Sequence, residues 1–182
     1  MGLIATLVVS DYPTASAKTQ QPAGQSNTGY SVLKLLLEDE QHLTLIRRTK
    51  MIITFDGIST GSEALIDSIS DASEKDLETL ERLSSQRPAI LFEEFSDDTI
   101  GKATLDSLRM TTAKEFFIGA DDFEKSILLS QLKVLRVISH LAEQLEQKES
   151  NHKRKRWLKQ LSDRYEGYYQ QVNTRFTIKN NT

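Results

Sequence analysis

The chain has 182 residues, with 38% apolar side chains, 23 Lys plus Arg against 26 Asp plus Glu, three His, one Trp and no Cys. That length suits one soluble domain, and a domain of this size buries about 70% of its unfolded surface without needing disulfides or a structural metal. The lack of Cys removes thiol catalysis, Cys-ligated zinc, iron–sulfur clusters and disulfide frameworks, and a net charge of −3 gives no global attraction to nucleic acid.

Residues 1–17 differ from all that follows. The apolar run Gly2 to Val9, then Pro13, then Ala15-Ser16-Ala17 resembles the end of a secretory signal peptide with an A-x-A cleavage site before Lys18. Only Met1 precedes the run, so the basic opening of such peptides is lacking. The expectation is an exported protein, periplasmic or secreted, with a cytoplasmic location as the alternative. The run is far below the ~20 residues of a membrane span, and no later stretch approaches that length. Residues 18–29 (KTQQPAGQSNTG) hold no large apolar side chain and are expected to be a flexible leader.

From Ser31 the apolar spacing is helical. A first helix is predicted over 31–55, capped by Ser31 and stopped at Asp56-Gly57, with Leu35, Leu36, Leu43, Ile46 and Ile53 as its apolar residues. Thr60-Gly61-Ser62-Glu63 and Ser73-Glu74-Lys75-Asp76 each place a hydroxyl three residues before an acid, the arrangement of a capping box or its Asp analogue. They predict two short helices, 61–69 and 74–85, the second ended by Arg87-Pro88. Residues 89–96 (AILFEEFS) suit a strand or a helical turn and are read as a packed connector. A helix over 97–118 follows, with Ile100, Leu108 and Phe116 inward and Gly119 as its stop.

Two long helices close the chain. In 121–149, Phe123, Ile127, Val134, Ile138, Leu141 and Leu145 recur at helical spacing. In 152–173, Trp157, Leu158, Leu161, Tyr165, Tyr168 and Val172 do the same. Leu145 and Leu161 are out of phase by roughly 160° at ~100° per residue, so one continuous helix would turn its two stripes opposite ways. A tight turn at Ser150-Asn151 and an antiparallel hairpin follow. The fold class is therefore all-α: an antiparallel bundle of four main helices (31–55, 97–118, 121–149, 152–173) and two short ones (61–69, 74–85). It forms a single domain over 30–176, with a disordered tail at 177–182.

Charge is divided sharply along the chain. Residues 1–125 carry 12 basic and 21 acidic side chains, a balance of −9, whereas residues 126–182 carry 11 and 5, a balance of +6. The basic excess gathers near one helical turn, which makes Lys153, Arg154, Lys155, Arg156 and Lys159 the candidate binding residues for an acidic protein or an anionic surface. At the start of a helix these cations oppose the helix dipole, each at ~0.3–1 kcal/mol. The plain alternative is a solvated helix end, or one that meets the acidic half of its own chain. Nucleic acid is disfavoured, because Trp157 is the only base-stacking aromatic beside the patch.

Metal binding in the bundle core is the rival reading. Carboxylate-bridged di-iron bundles use Glu-x-x-His pairs on one helix face. Glu149 and His152 have that spacing, and Asp39 and His42 form its Asp analogue. A second true Glu-x-x-His is absent, and four cations adjoin Glu149 and His152. His140 falls on a polar face with Lys133 and Arg136. Gly57 to Ser62 lacks the Lys of a phosphate-binding loop, and a helix stop followed by a cap explains it. No Ser lies in a Gly-x-Ser-x-Gly elbow. The acid pairs Glu93-Glu94, Asp97-Asp98 and Asp121-Asp122 suit capping roles near helix starts. The sequence thus points to a non-enzymatic binding or scaffold domain with no implied cofactor, a carboxylate and histidine metal bundle being the alternative.

Overall fold

In a computed structural model of the chain, residues 24–54, 57–92, 107 and 122–180 are described. The export-like segment 1–17 and the helix expected over 97–118 lie outside these residues, apart from position 107, which is helical. Among the described residues five helices have defined bounds: α1 (Gly24–Glu40), α2 (Leu43–Thr54), α3 (Thr60–Ser84), α4 (Phe123–Lys148) and α5 (His152–Asn180). Among the described residues there is no strand, so the chain is all-α.

Four of these helices form the bundle, and α2 packs on α3. Going round it, α1 touches α3, α3 touches α5, α5 touches α4, and α4 touches α1. Tertiary contacts set the directions. Tyr30 near the start of α1 meets Glu149 beyond the end of α4, whereas Glu40 at the end of α1 meets Gln131 near the start of α4. Tyr168 of α5 donates to the Ser68 carbonyl (3.2 Å), and Arg154 of α5 reaches the Leu83 carbonyl at the opposite end of α3. Thus α1 and α5 run one way and α3 and α4 the other. Helices α3 and α4 are parallel and diagonal, and α4 starts at the end opposite to where α3 finishes.

The core is aliphatic with an aromatic seam. Leu33, Leu37, Ile66, Ile69, Leu80, Ile127, Leu128, Leu135, Ile138, Leu158, Leu161, Tyr165 and Val172 are fully buried. Each such side chain contributes roughly 1.5–3 kcal/mol on leaving water, which is why amphipathic spacing decides the fold. The α4–α5 hairpin turns at Glu149–Asn151, as the phase of the two stripes requires. Asn151 caps α5, its Oδ1 accepting from the backbone N–H groups of Lys153 (3.0 Å) and Arg154 (3.1 Å). Asp122 caps α4 by accepting from Lys125 N–H (3.1 Å).

The first half of the chain departs from expectation in five ways. The helix predicted over 31–55 is two helices, broken at Gln41 and His42. It also starts at Gly24, so residues 24–29 belong to α1 and not to a leader. There α1 lies so close to α4 that a Cβ on Gly29 would stand 2.9 Å from Leu145 Cδ2. The buried face is Tyr30, Leu33, Leu37, Glu40, Leu43 and Arg47, while Leu35, Leu36 and Ile46 are half-buried. The helices expected over 61–69 and 74–85 are one helix, α3, capped by Ser59, whose side chain accepts from Ser62 N–H. Ser73 does not cap anything: its hydroxyl is buried against the Tyr165 hydroxyl at 2.7 Å. A capping pattern is a local signal, and where a tertiary partner satisfies the hydroxyl the helix runs through it.

Residues 177–180 of the expected tail are helical for the same kind of reason. They continue α5, and Lys179 pairs with Asp122 (3.3 Å) and Glu124 (3.4 Å) at the start of α4. Those two acids favour the Lys179 cation and raise its pKa. Residues 89–92 are irregular, with Ile90 buried and Phe92 stacked under the Lys34 ammonium at 5.1 Å.

Candidate functional site

The basic turn at the start of α5 is divided among several tasks. Arg154 is almost fully buried and donates to Glu149 twice, Nε to Oε2 (2.7 Å) and Nη2 to Oε1 (3.1 Å). Its Nη1 donates to the carbonyls of Leu83 (3.3 Å) and Gln86 (2.8 Å), at and beyond the end of α3. The cation that offends the dipole of α5 therefore sits at the negative end of α3, where the same physics favours it. Burial alone would raise the Glu149 pKa. Hydrogen bonds from Arg154, Tyr30 and the Asn151 backbone outweigh that and hold it below the ordinary carboxylate value.

Lys155 pairs with Glu146 (3.6 Å), and Lys159 with Asp163 one turn on (3.1 Å), both facing outward. Lys153 and Arg156 have neither kind of partner. They face α3 and line a groove of about 730 Å³ between α3 and α5, together with Lys75, Arg82, Gln160 and Tyr168. Lys75, Arg82, Lys153 and Arg156 are all exposed, and none makes an ion pair among the described residues.

Helical spacing explains how two separate segments build one groove. On α3, Ser68, Lys75 and Arg82 recur every two turns; on α5, Lys153, Arg156, Gln160, Arg164 and Tyr168 recur at three or four residues. These rows lie beside the apolar stripes that pack the two helices together. The floor is closed by Ala72, Leu83 and Trp157, all buried. Arg164 crosses the middle, its Nη1 donating to both carboxylate oxygens of Asp76 at 2.6 Å. Burial raises the Asp76 pKa, and the Arg164 contact opposes the rise. The indole N–H of Trp157 completes no hydrogen bond, although it is near enough to Asp76 to favour the carboxylate. The groove is polarised: Arg82, Lys153 and Arg156 at the turn end, Asp71 with Ser68 and Tyr168 at the other.

No known family model, curated protein or solved structure matches this chain.

The four residues of the metal alternative are not brought together. His42 is exposed in the break between α1 and α2, with Asp39 half-buried beside it, toward the end of α1 nearest Gln131. Glu149 lies beyond the end of α4, saturated by Arg154 and Tyr30, and His152 is exposed. Among the described residues no group of three or more His, Cys, Asp or Glu is placed to hold a metal ion. His140 is exposed beside Glu143 at 3.6 Å.

A second polar feature lies in the bundle interior. Glu40 and Gln131 are both buried and joined by Gln131 Nε2 to Glu40 Oε1 at 3.4 Å; among the described residues Glu40 Oε2 and Gln131 Oε1 have no partner. Burial drives the Glu40 pKa up to about 8, well above what the Gln131 contact can offset. Both orphaned oxygens are acceptors, and a proton on the Glu40 carboxyl would turn one of them into a donor.

Proposed function

We propose that this chain is a non-enzymatic binding domain that engages an acidic partner through the groove between α3 and α5. One observation carries the reading: four exposed cations, Lys75, Arg82, Lys153 and Arg156, line one concavity without an ion pair among the described residues. Outside the groove exposed cations are either paired, as Lys155 and Lys159 are, or scattered singly, as Arg48, Lys125, Lys133 and Lys148 are, so it is the convergence of four on one concavity that sets the groove apart. Like charges converging without neutralisation repel one another, so an anion that enters the groove relieves that repulsion and gains their field. Export remains part of the proposal, supported by the apolar run before Ala15-Ser16-Ala17.

The test compares two variants of equal charge. K75Q/R82Q/K153Q/R156Q empties the groove, whereas R48Q/K125Q/K133Q/K148Q removes four exposed cations outside it. On an immobilised acidic protein the first should lose at least about tenfold in affinity and the second far less, with the wild-type interaction weakening as salt screens it. Equal losses from both variants would mean that net charge alone, and not the groove, sets retention.

A further inference from the structure

Resting on that reading, we infer that the groove's occupant is an extended acidic peptide segment of about six or seven residues. The length follows from geometry. Between Ser68 and Leu83 the groove follows α3 for ~22 Å at 1.5 Å per residue. An extended chain at ~3.3 Å per residue fills that span with six or seven residues.

The lining argues against the other occupants. A helix docking in a groove needs apolar holes for side chains at i, i+3/4 and i+7. Here the apolar floor residues Ala72, Leu83 and Trp157 are already buried, and only Tyr168 offers an aromatic surface. A flat anionic membrane meets convex faces, and these cations lie inside a concavity shared with Asp71. A compact polyphosphate would use one cluster of cations, but Lys75 lies two turns of α3 away from Arg82. A carboxylate-bearing strand reaches all of them. Its most acidic part belongs at the Arg82, Lys153 and Arg156 end, because Asp71 repels acid at the other.

Trp157 is the chain's single tryptophan and forms part of the groove, so it reports occupancy directly. The full chain is titrated with oligoglutamates of about three, seven and fourteen residues, inorganic triphosphate and vesicles rich in anionic lipid. Trp157 fluorescence and calorimetry are both recorded. Affinity should rise about tenfold or more from three to seven residues and at most about twofold from seven to fourteen. K75Q/R82Q/K153Q/R156Q, whose circular dichroism should match wild type because all four positions are exposed, should lose the interaction about tenfold.

Triphosphate binding as tightly as the seven-residue peptide, or stronger retention by vesicles, overturns the peptide inference and leaves the groove an anion site. A further tenfold gain from seven to fourteen residues overturns it too, since that is the response of an unbounded surface. Failure of every probe, by both measurements, overturns the binding-domain reading itself.

Discussion

The turn end of the bundle and its middle each bury a glutamate, with opposite results. Glu149 is surrounded by donors: the Arg154 guanidinium, the Tyr30 hydroxyl and the Asn151 backbone N–H at 2.6 Å. Its pKa is held below the ordinary carboxylate range, so the charged form is favoured. Glu40 has one long contact from a neutral amide and is pushed up to about 8. Burial opposes ionisation at both sites, so the number and charge of the donors decide which form survives. The first site is an anchored ion that ties α1, α3, α4 and α5 together. The second is a buried acid whose ionisation burial disfavours.

Breaking the turn cluster should have the largest effect. Arg154→Met leaves Glu149 buried without its cation and frees the carbonyls of Leu83 and Gln86, so urea unfolding should show a loss of about 3–5 kcal/mol. Leu161→Ala, at a fully buried position, provides the apolar yardstick of about 2–5 kcal/mol. An Arg154→Met loss below ~1 kcal/mol would mean that water reaches Glu149, and the contrast between the two glutamates would collapse.

The mid-bundle site should show itself through pH. Native Glu40 keeps its proton up to about pH 8, whereas the unfolded chain releases it near 4.5. Between these values the native state binds more protons, so this contribution to stability is fully present below about 4.5 and is lost as pH rises to about 8. Glu149 acts with the opposite sign, its contribution being lost as acid titrates it. Glu40→Gln should flatten the loss between about pH 4.5 and 8 and exceed wild type by roughly 1–3 kcal/mol at pH 9. An unchanged slope across that range would show that Glu40 is ionised throughout. The smallest effect belongs to the groove: K75Q/R82Q/K153Q/R156Q should alter stability by less than ~0.5 kcal/mol, because those side chains hold nothing together.

The hairpin of α4 and α5 was readable because its information is local: two stripes, a phase difference and Asn151. The first half was not. No Gly, Pro or capping residue marks the break at Gln41 and His42, and the hydroxyl of Ser73 imitates a cap that Tyr165 makes unnecessary. Glu40 lies in the run Glu38-Asp39-Glu40, which resembles a solvated face; only its spacing from Leu33 and Leu37 places it inward. The groove was half visible. Lys153 and Arg156 stand in a conspicuous basic run, but Lys75 and Arg82 are diluted by Glu74, Asp76, Glu78 and Glu81 on the same helix. Charge totals average over faces, and a groove selects one face from each of two helices. The burial of Arg154 inside the basic run had no local signal, since its partners include carbonyls 71 and 68 residues away.

The parallel course of α3 and α4 has a consequence for the order in which the chain becomes stable. The Ser139 hydroxyl of α4 reaches Ser162 of α5 across 23 residues, whereas Tyr30 reaches Glu149 across 119 and Ser73 reaches Tyr165 across 92. Short loops close at lower entropic cost, so the C-terminal hairpin should form first and α1 should dock last. During synthesis this order is inverted: α1 and α3 emerge early with their apolar faces uncovered and find no core until the end of the chain is made. Nascent chains halted before α4 should therefore be protease-sensitive throughout, and full-length chains abruptly resistant. A protein built this way should close only when α5 is complete, a late closure that the export proposal would require.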